Sequence, residues 1–208
     1  MLEVDGRPFL EYNVERLRRS GVDQVVMSCG FLGHLISQHF GDGSRFGLQI
    51  DYSFEDRPLG TGGAVRNALS RLDERFFLLN GDTLFDVDLA QLGRGLIQSK
   101  NLAVLAARMV PDISRFGSIE LSQGQVARFH GKGGAGAGYC NGGVYAMTRS
   151  AVDLLGSGSS SLESQLLPRL AAEQLLGGNP SSGFFIDIGI PEDLERAQTA
   201  IPDWKARG

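Results

Sequence analysis

At 208 residues the chain can form one domain with a sizeable core, and its 42% hydrophobic and 21% charged residues are ordinary for a soluble globular protein. No apolar run approaches the roughly 18 residues of a membrane span, so a soluble, cytoplasmic protein with no membrane partner is expected. The net charge of −4 provides no basic footprint for a nucleic-acid backbone, so any bound nucleotide should be a small molecule.

Helix and strand signals alternate from the start. Pro8 to Arg19 reads as a helix with Phe9, Val14 and Leu17 on one face and Gly21 as its stop, followed by a strand at Val25-Val26-Met27. Phe31 to Phe40 repeats the helix, ended by Gly41, and Leu48 to Tyr52 alternates as a strand. Ala64 to Leu72 is a third helix, placed directly after the glycine-rich run Pro58 to Gly63, and the apolar strand Phe76-Phe77-Leu78-Leu79 follows. This rhythm predicts an α/β fold with a doubly wound, mainly parallel, Rossmann-like sheet.

After Asp88, a helix carrying Leu89, Leu92, Leu96 and Ile97 precedes strands at Leu102 to Met109, Gly117 to Leu121, Val126 to Phe129 and Gly143 to Met147. Four strands with almost no helix between them imply an antiparallel extension of a mixed sheet. Ser161 to Leu176 returns to helix with a break before Pro168, and a last strand, Phe184 to Ile186, leads to a helix opened by Pro191-Glu192-Asp193. Cys29 and Cys140 form no disulfide framework and read as reduced thiols, and His34, His39 and His130 lack metal-ligand spacing. There are 29 glycines, about twice the usual fraction of roughly 7%, and most fall at strand-to-helix turns.

Two apolar strands end on a carboxylate: Leu79-Asn80-Gly81-Asp82 and Phe185-Ile186-Asp187-Ile188-Gly189. Ligands of open α/β sheets bind at the carboxyl ends of strands, and two carboxylates meeting there suit a hard divalent cation such as Mg²⁺. The ordinary alternatives are a strand-end turn for Asp82 and a buried helix-start acid for Asp187. In Pro58-Leu59-Gly60-Thr61-Gly62-Gly63-Ala64, three glycines before a helix could aim backbone N–H groups and the helix dipole at a ligand, or form a plain turn.

Taken in order, five segments resemble the sugar-1-phosphate nucleotidyltransferases, within which heptose-1-phosphate and mannose-1-phosphate guanylyltransferases are the nearest groups. They are Glu55-x-x-Pro58 through Ala64, Asn80 to Thr83, Asn141 to Tyr145, Ser161 to Glu163, and Asp187 to Leu194, and the order and spacing fit from Leu2 to about Ala200. The resemblance implies a reaction in which a sugar-phosphate oxygen attacks the α-phosphorus of a nucleoside triphosphate in line and pyrophosphate leaves. Catalysis of that kind is positioning plus neutralisation of growing charge.

The resemblance also implies roles. Asp82 and Asp187 would hold Mg²⁺. Leu59, Gly60, Thr61 and Gly62 would lie against the nucleobase, beside Gly81, and Glu55 would accept from guanine N1–H and N2–H₂. Asn141 would bond a sugar hydroxyl, Gly142 would leave room for the ring, and Glu163 would accept from two hydroxyls, although Ser161-Leu162-Glu163 also reads as a helix start. Lys132, in Phe129-His130-Gly131-Lys132, aligns with a phosphate-facing lysine, but Gly131 stands where the family has glutamate.

The family's Gly-Gly-x-Gly-Thr-Arg-Leu loop, which cradles the triphosphate, does not occur in this sequence. Met1 to Pro8 aligns with the segment just after that loop, so the chain reads as a single nucleotidyltransferase domain truncated at its N-terminus. Neighbouring strands are then expected to lack a partner, and this form to be catalytically silent. The expected partners are a nucleoside triphosphate, GTP before others, and a sugar 1-phosphate, with homo-oligomerisation left open. The alternatives are a uridylyl, thymidylyl or cytidylyl transferase, and a non-catalytic nucleotide or sugar-phosphate binding protein.

Overall fold

The structure is a computed structural model and describes residues 1–114, 117–130 and 134–207. A short hairpin of β1 (Glu3–Val4) and β2 (Arg7–Pro8) leads into α1 (Phe9–Arg19), then β3 (Gln24–Cys29), α2 (Gly33–Phe40) and β4 (Gln49–Phe54). Next come α3 (Gly60–Ala68), β5 (Arg75–Leu79), β6 (Thr83–Phe85) and α4 (Leu89–Ile97). The second half runs β7 (Ala103–Val110), β8 (Ser118–Ser122), β9 (Gln125–Phe129), β10 (Gly138–Thr148) and α5 (Arg149–Asp153). A π-helical turn at Leu162–Leu166 precedes α6 (Leu167–Ala172), β11 (Leu176–Ser181), β12 (Phe185–Asp187) and α7 (Pro191–Arg207).

The central sheet is ordered β5-β10-β7-β11-β9-β8. Because successive strand residues point to opposite faces, β7 sends Ala103, Leu105 and Ala107 to one side and Val104 and Ala106 to the other. On the first side Leu105, Tyr145 and Met147 pack on Leu162, Leu166, Leu167 and Leu170. On the second, Val104, Ala106, Val144 and Ala146 pack on Leu89, Leu92 and Leu96 of α4. Helices on both faces give the α/β, Rossmann-like layering, and burial on both faces explains why β7 and β10 are almost continuously apolar.

The pairing differs from a mainly parallel sheet. Only β3·β4 and β7·β11 are parallel among the described ladders; β10 runs antiparallel between β5 and β7, and β8 and β9 form the antiparallel extension. Helix was expected as far as Leu176, but α6 ends at Ala172, and the strand β11 that begins at Leu176 was not expected, because Gly-Gly-Asn-Pro carries no strand signal. Its glycines answer to packing instead: a Cβ on Gly178 would stand 2.4 Å from Leu121 Cδ2. The third helix starts at Gly60 rather than Ala64, so the glycine run forms its first turn.

β3 and β4 form a separate two-stranded sheet, and among the described residues β3 pairs only with β4 and β5 only with β10. Val25, Val26 and Met27 of β3 and Phe76 to Leu79 of β5 are only half-buried. A third small unit, β6 with β12, is fastened by Leu84, Ile186 and Ile188 to Ala197 and Ile201 of α7 and to Phe9 and Tyr12 of α1. Both cysteines are free and buried. Among the described residues no helix is long and apolar enough to cross a membrane.

Candidate active site

Asp82 follows β5 and Asp187 ends β12, and the β6·β12 ladder brings them together: Asp187 is opposite Thr83, and Ile188 N–H donates to Asp82 O at 2.8 Å. The carboxylates converge on Gly189. A Cβ placed there would lie 3.0 Å from Asp187 Oδ1 and 3.6 Å from Asp82 Oδ2, so the absent side chain leaves room between them. Gly189 N–H donates to Asp187 Oδ1 at 2.8 Å, and the Thr83 hydroxyl donates to Asp82 Oδ1 at 3.3 Å. Gly81 meets only Leu10 Cδ2, at 3.7 Å, so its lack of a side chain is not required by the protein's own packing.

Beside this pair, the last residues of β5 meet a bulge in β10. Asn80 N–H donates to Gly143 O at 2.9 Å, and the β7·β10 register shifts between Asn141 and Tyr145. Asn141 is fixed at both ends of its amide: Nδ2 donates to Tyr145 Oη at 2.7 Å and Oδ1 accepts from Gly143 N–H at 3.1 Å. Tyr145 is fully buried, and desolvation pushes its phenol well above the usual tyrosine range, with the Asn141 bond opposing and the Glu163 charge reinforcing. Sequence reasoning quoted Tyr145 without assigning it a role, since a strand tyrosine among apolar residues reads as core.

The space at Gly142 is used differently from the expectation. A Cβ there would stand 2.4 Å from the Phe85 ring and 2.7 Å from Ala106 O, so the missing side chain makes room for Phe85, not for a sugar ring. Likewise Gly60, Gly62 and Gly63 lie against the chain's own loop at Gly158, Ser159 and Ser160. Gly60 has φ +71°, and its Cβ would stand 2.5 Å from Ser160 O. Gly62 and Gly63 N–H both donate to Ser160 O, at 2.9 and 3.3 Å, so those two groups are already partnered within the protein instead of facing a ligand. Leu59 O accepts from Ser160 N–H at 2.9 Å.

Glu55 accepts the Leu59 N–H through Oε2 at 2.9 Å, which ties the end of β4 to the start of α3. Thr61 links the glycine turn to the later segment: its hydroxyl donates to Glu163 Oε2 at 2.9 Å and accepts from Leu162 N–H at 2.9 Å. Glu163 is exposed and also accepts from the Ser161 hydroxyl at 3.3 Å. Two hydrogen-bonded pairs result, Thr61 with Glu163 and Asn141 with Tyr145, and the second lies beside Asn80 through Gly143. Lys132 lies outside the described residues.

A two-sided mixed sheet, a glycine-rich helix start and a carboxylate pair beyond a strand end together define a Rossmann-like transferase of nucleotide-diphospho-sugar type. The nucleotidyl transferase family matches residues 1–203, and the chain belongs to it. It is 36% identical over 203 residues to the D-glycero-alpha-D-manno-heptose 1-phosphate guanylyltransferase of Aneurinibacillus thermoaerophilus, covering 97% of this chain and 88% of that enzyme. It is 31% identical to the mannose-1-phosphate guanylyltransferase of Mycobacterium tuberculosis, covering 97% of this chain and 58% of the other. The crystal structure of HddC from Yersinia pseudotuberculosis complexed with GMP-PN superposes with a TM-score of 0.86 at 28% identity, covering 97% of this chain and 88% of that one.

Proposed function

We propose that this protein transfers a guanylyl group from GTP to a sugar 1-phosphate, heptose 1-phosphate before mannose 1-phosphate, with release of pyrophosphate. The observation that carries this reading is the convergence of Asp82 and Asp187 on the space above Gly189. Two carboxylates around a gap left by a missing side chain are a hard-oxygen donor set that suits Mg²⁺, and these two residues would hold it. No third His, Cys, Asp or Glu joins them in a metal-sized group among the described residues, which matches an ion that takes its other ligands from water and phosphate. When bound, the ion would supply Lewis-acid neutralisation of charge on phosphate oxygens.

The chain's own residues would bind and orient. Thr61 and the start of α3 would lie along the nucleoside, and Glu55, already fixed by the Leu59 N–H, would read guanine. Asn141, held by Tyr145 and Gly143, and Glu163, held by Thr61, would accept or donate at the sugar hydroxyls, and Lys132 would face a phosphate. Support for guanine comes from the two guanylyltransferases to which the chain is 36% and 31% identical.

The test is a competition assay of GTP against UTP, dTTP and CTP with either sugar phosphate, reading pyrophosphate release. It is run on the 208-residue chain and on a form extended ahead of Met1 by an apolar β-forming segment and a Gly-Gly-x-Gly-Thr-Arg-Leu loop. The extended form should prefer GTP by roughly ten- to a hundred-fold, the cost of covering the Glu55 carboxylate with a base that offers it no donors. Equal use of UTP there would remove the guanylyl assignment.

A further inference from the structure

Asp187 stands on β12, which with β6 forms a two-stranded unit apart from the six-stranded sheet, so its place beside Asp82 depends on how β12 is held. Residues of an antiparallel pair alternate between bonding their partner strand and turning their N–H and C=O away from it. Phe184 O accepts from Asp86 N–H at 2.8 Å and Ile188 N–H donates to Asp82 O at 2.8 Å, so the even-numbered positions bond toward β6. Phe185 and Asp187 therefore turn their backbone groups to the outer edge of β12.

Arg108 reaches that edge from β7. It follows Val104 and Ala106 on the face of β7 that packs toward Phe85 and Phe185. Its Nη1 donates to Phe185 O at 3.4 Å, and its guanidinium carbon lies 4.0 Å from the centre of the Phe185 ring. An arginine near a strand end would ordinarily extend its head to water. This one is half-buried, and a guanidinium partly withdrawn from water grips a ring face more firmly than an exposed one.

The same ring is held from a second side. Phe85 meets it edge-on at 5.3 Å and 81°, and Phe85 is itself fully buried in the room left by Gly142. Side chains two apart on a strand share a face, so the Asp187 carboxylate stands on the same face of β12 as the Phe185 ring. Turning Phe185 about the strand axis would swing Asp187 with it, away from the gap at Gly189 where it meets Asp82. The ladder with β6 fastens one edge of β12, and Arg108 acts on the other.

We propose that Arg108 is a positioning residue for the ion site: by holding the Phe185 carbonyl and ring it keeps the outer edge of β12 in place, and with it the Asp187 carboxylate beside Asp82. The proposal rests on the reading of those two carboxylates as a Mg²⁺ site. Because Arg108 acts through Phe185, its effect should run against its charge. Losing a positive charge in this region would by itself favour a cation at the carboxylates, whereas losing the grip on β12 should weaken it.

The probe is Mn²⁺, which suits the same oxygen donors as Mg²⁺, titrated into the 208-residue protein and read by loss of the free ion's EPR signal. Arg108→Met keeps a long side chain over the ring without charge or donor. It should weaken Mn²⁺ binding by about tenfold, the low end for a group that orients metal ligands from outside. Arg108→Lys restores a cation and a donor and should recover most of that loss, while thermal unfolding of each variant reports packing separately. A lower Tm with unchanged Mn²⁺ affinity in Arg108→Met, tighter binding there, or no recovery in Arg108→Lys would each overturn the proposal. If the parent showed no saturable binding, or if Asp187→Ala kept it, the carboxylate site itself would fall and the proposal with it, so the parent and Asp187→Ala tell the two failures apart.

Discussion

Asp82 and Asp187 are neighbours in space because of one strand pairing, and their carboxylates accept from different groups, that of Asp187 from the Gly189 N–H and that of Asp82 from the Thr83 hydroxyl at 3.3 Å. Removing either carboxylate should therefore spare the fold and remove the ion site. We expect Asp82→Ala and Asp187→Ala in an active form to lower kcat/KM by on the order of a hundred-fold or more. Addition of Mg²⁺ should raise the Tm of the parent protein and leave that of Asp82→Ala unmoved; near-native activity of either variant at limiting Mg²⁺ would rule the pair out as a metal site. The glycines make a contrasting pair. Gly142→Ala would drive a methyl into the Phe85 ring and Ala106 O, and overpacking of this kind costs about 1–3 kcal/mol. At roughly 2–4 °C of Tm per kcal/mol for a chain of this size the loss is readily measured. Gly81→Ala meets only a 3.7 Å contact and should leave Tm nearly unchanged, so equal shifts in the two variants would refute this account of Gly142.

Among the elements, α1 joins parts of the chain far apart in sequence. Glu11 pairs with His39 of α2 at 2.7 Å and with Arg7 at 2.9 Å, and Glu15 pairs with Lys205 of α7 at 3.0 Å. Burial alone would raise both carboxyls, but the bonds from His39 and Arg7 to Glu11, and from Lys205 to Glu15, outweigh it and hold both below the ordinary glutamate range. Protons then bind the unfolded chain more readily, so this stabilisation is present above the ordinary glutamate pKa of about 4.3 and is lost as pH falls through the lowered values. Glu11→Gln should flatten the fall of Tm between neutral and acid pH; an unchanged slope would mean that solvent screening leaves the pairs without effect. α1 itself was legible in the sequence because its apolar residues recur at helix spacing, and β7 and the Gly143 to Met147 part of β10 because they are apolar runs bounded by turn residues. The two aspartates were legible because each ends an apolar run at a glycine. β11 was not, since its glycines serve contacts with Leu121 and Asn101 that lie far away in sequence. Nor was the use of Gly62, Gly63 and Gly142 by Ser160 and Phe85: a glycine in a sequence signals close approach without saying of what. The bond from Asn141 to Tyr145 was missed for a related reason, since it depends on a bulge in β10 that no local pattern encodes.

Across the whole molecule, the β3·β4 sheet and the six-stranded sheet are held together by shared packing, without a common ladder. Leu17 of α1 lies in one apolar cluster with Val25 of β3 and with Phe77 and Leu79 of β5, so α1 bridges the two strands while each keeps one edge unpaired among the described residues. The same helix buries polar atoms that lack partners, Asn13 Oδ1 and Arg16 Nε and Nη2, and burial lowers the pKa of the Arg16 guanidinium. Unpaired strand edges and half-buried apolar side chains are what one further strand would satisfy, through ladder bonds on both sides and core contacts on both faces. An extension ahead of Met1 with an apolar β-forming segment and a glycine-rich loop should therefore raise Tm and slow amide exchange in both β3 and β5. Its loop N–H groups should also help neutralise charge on a triphosphate, so pyrophosphate release should be faster in the extended form. The two forms compared side by side by thermal unfolding, amide exchange and activity provide the test. If protection at β3 and β5 did not change, the two edges would not be strand-receiving, and comparable activity in the 208-residue chain would place the phosphate cradle in residues it already contains.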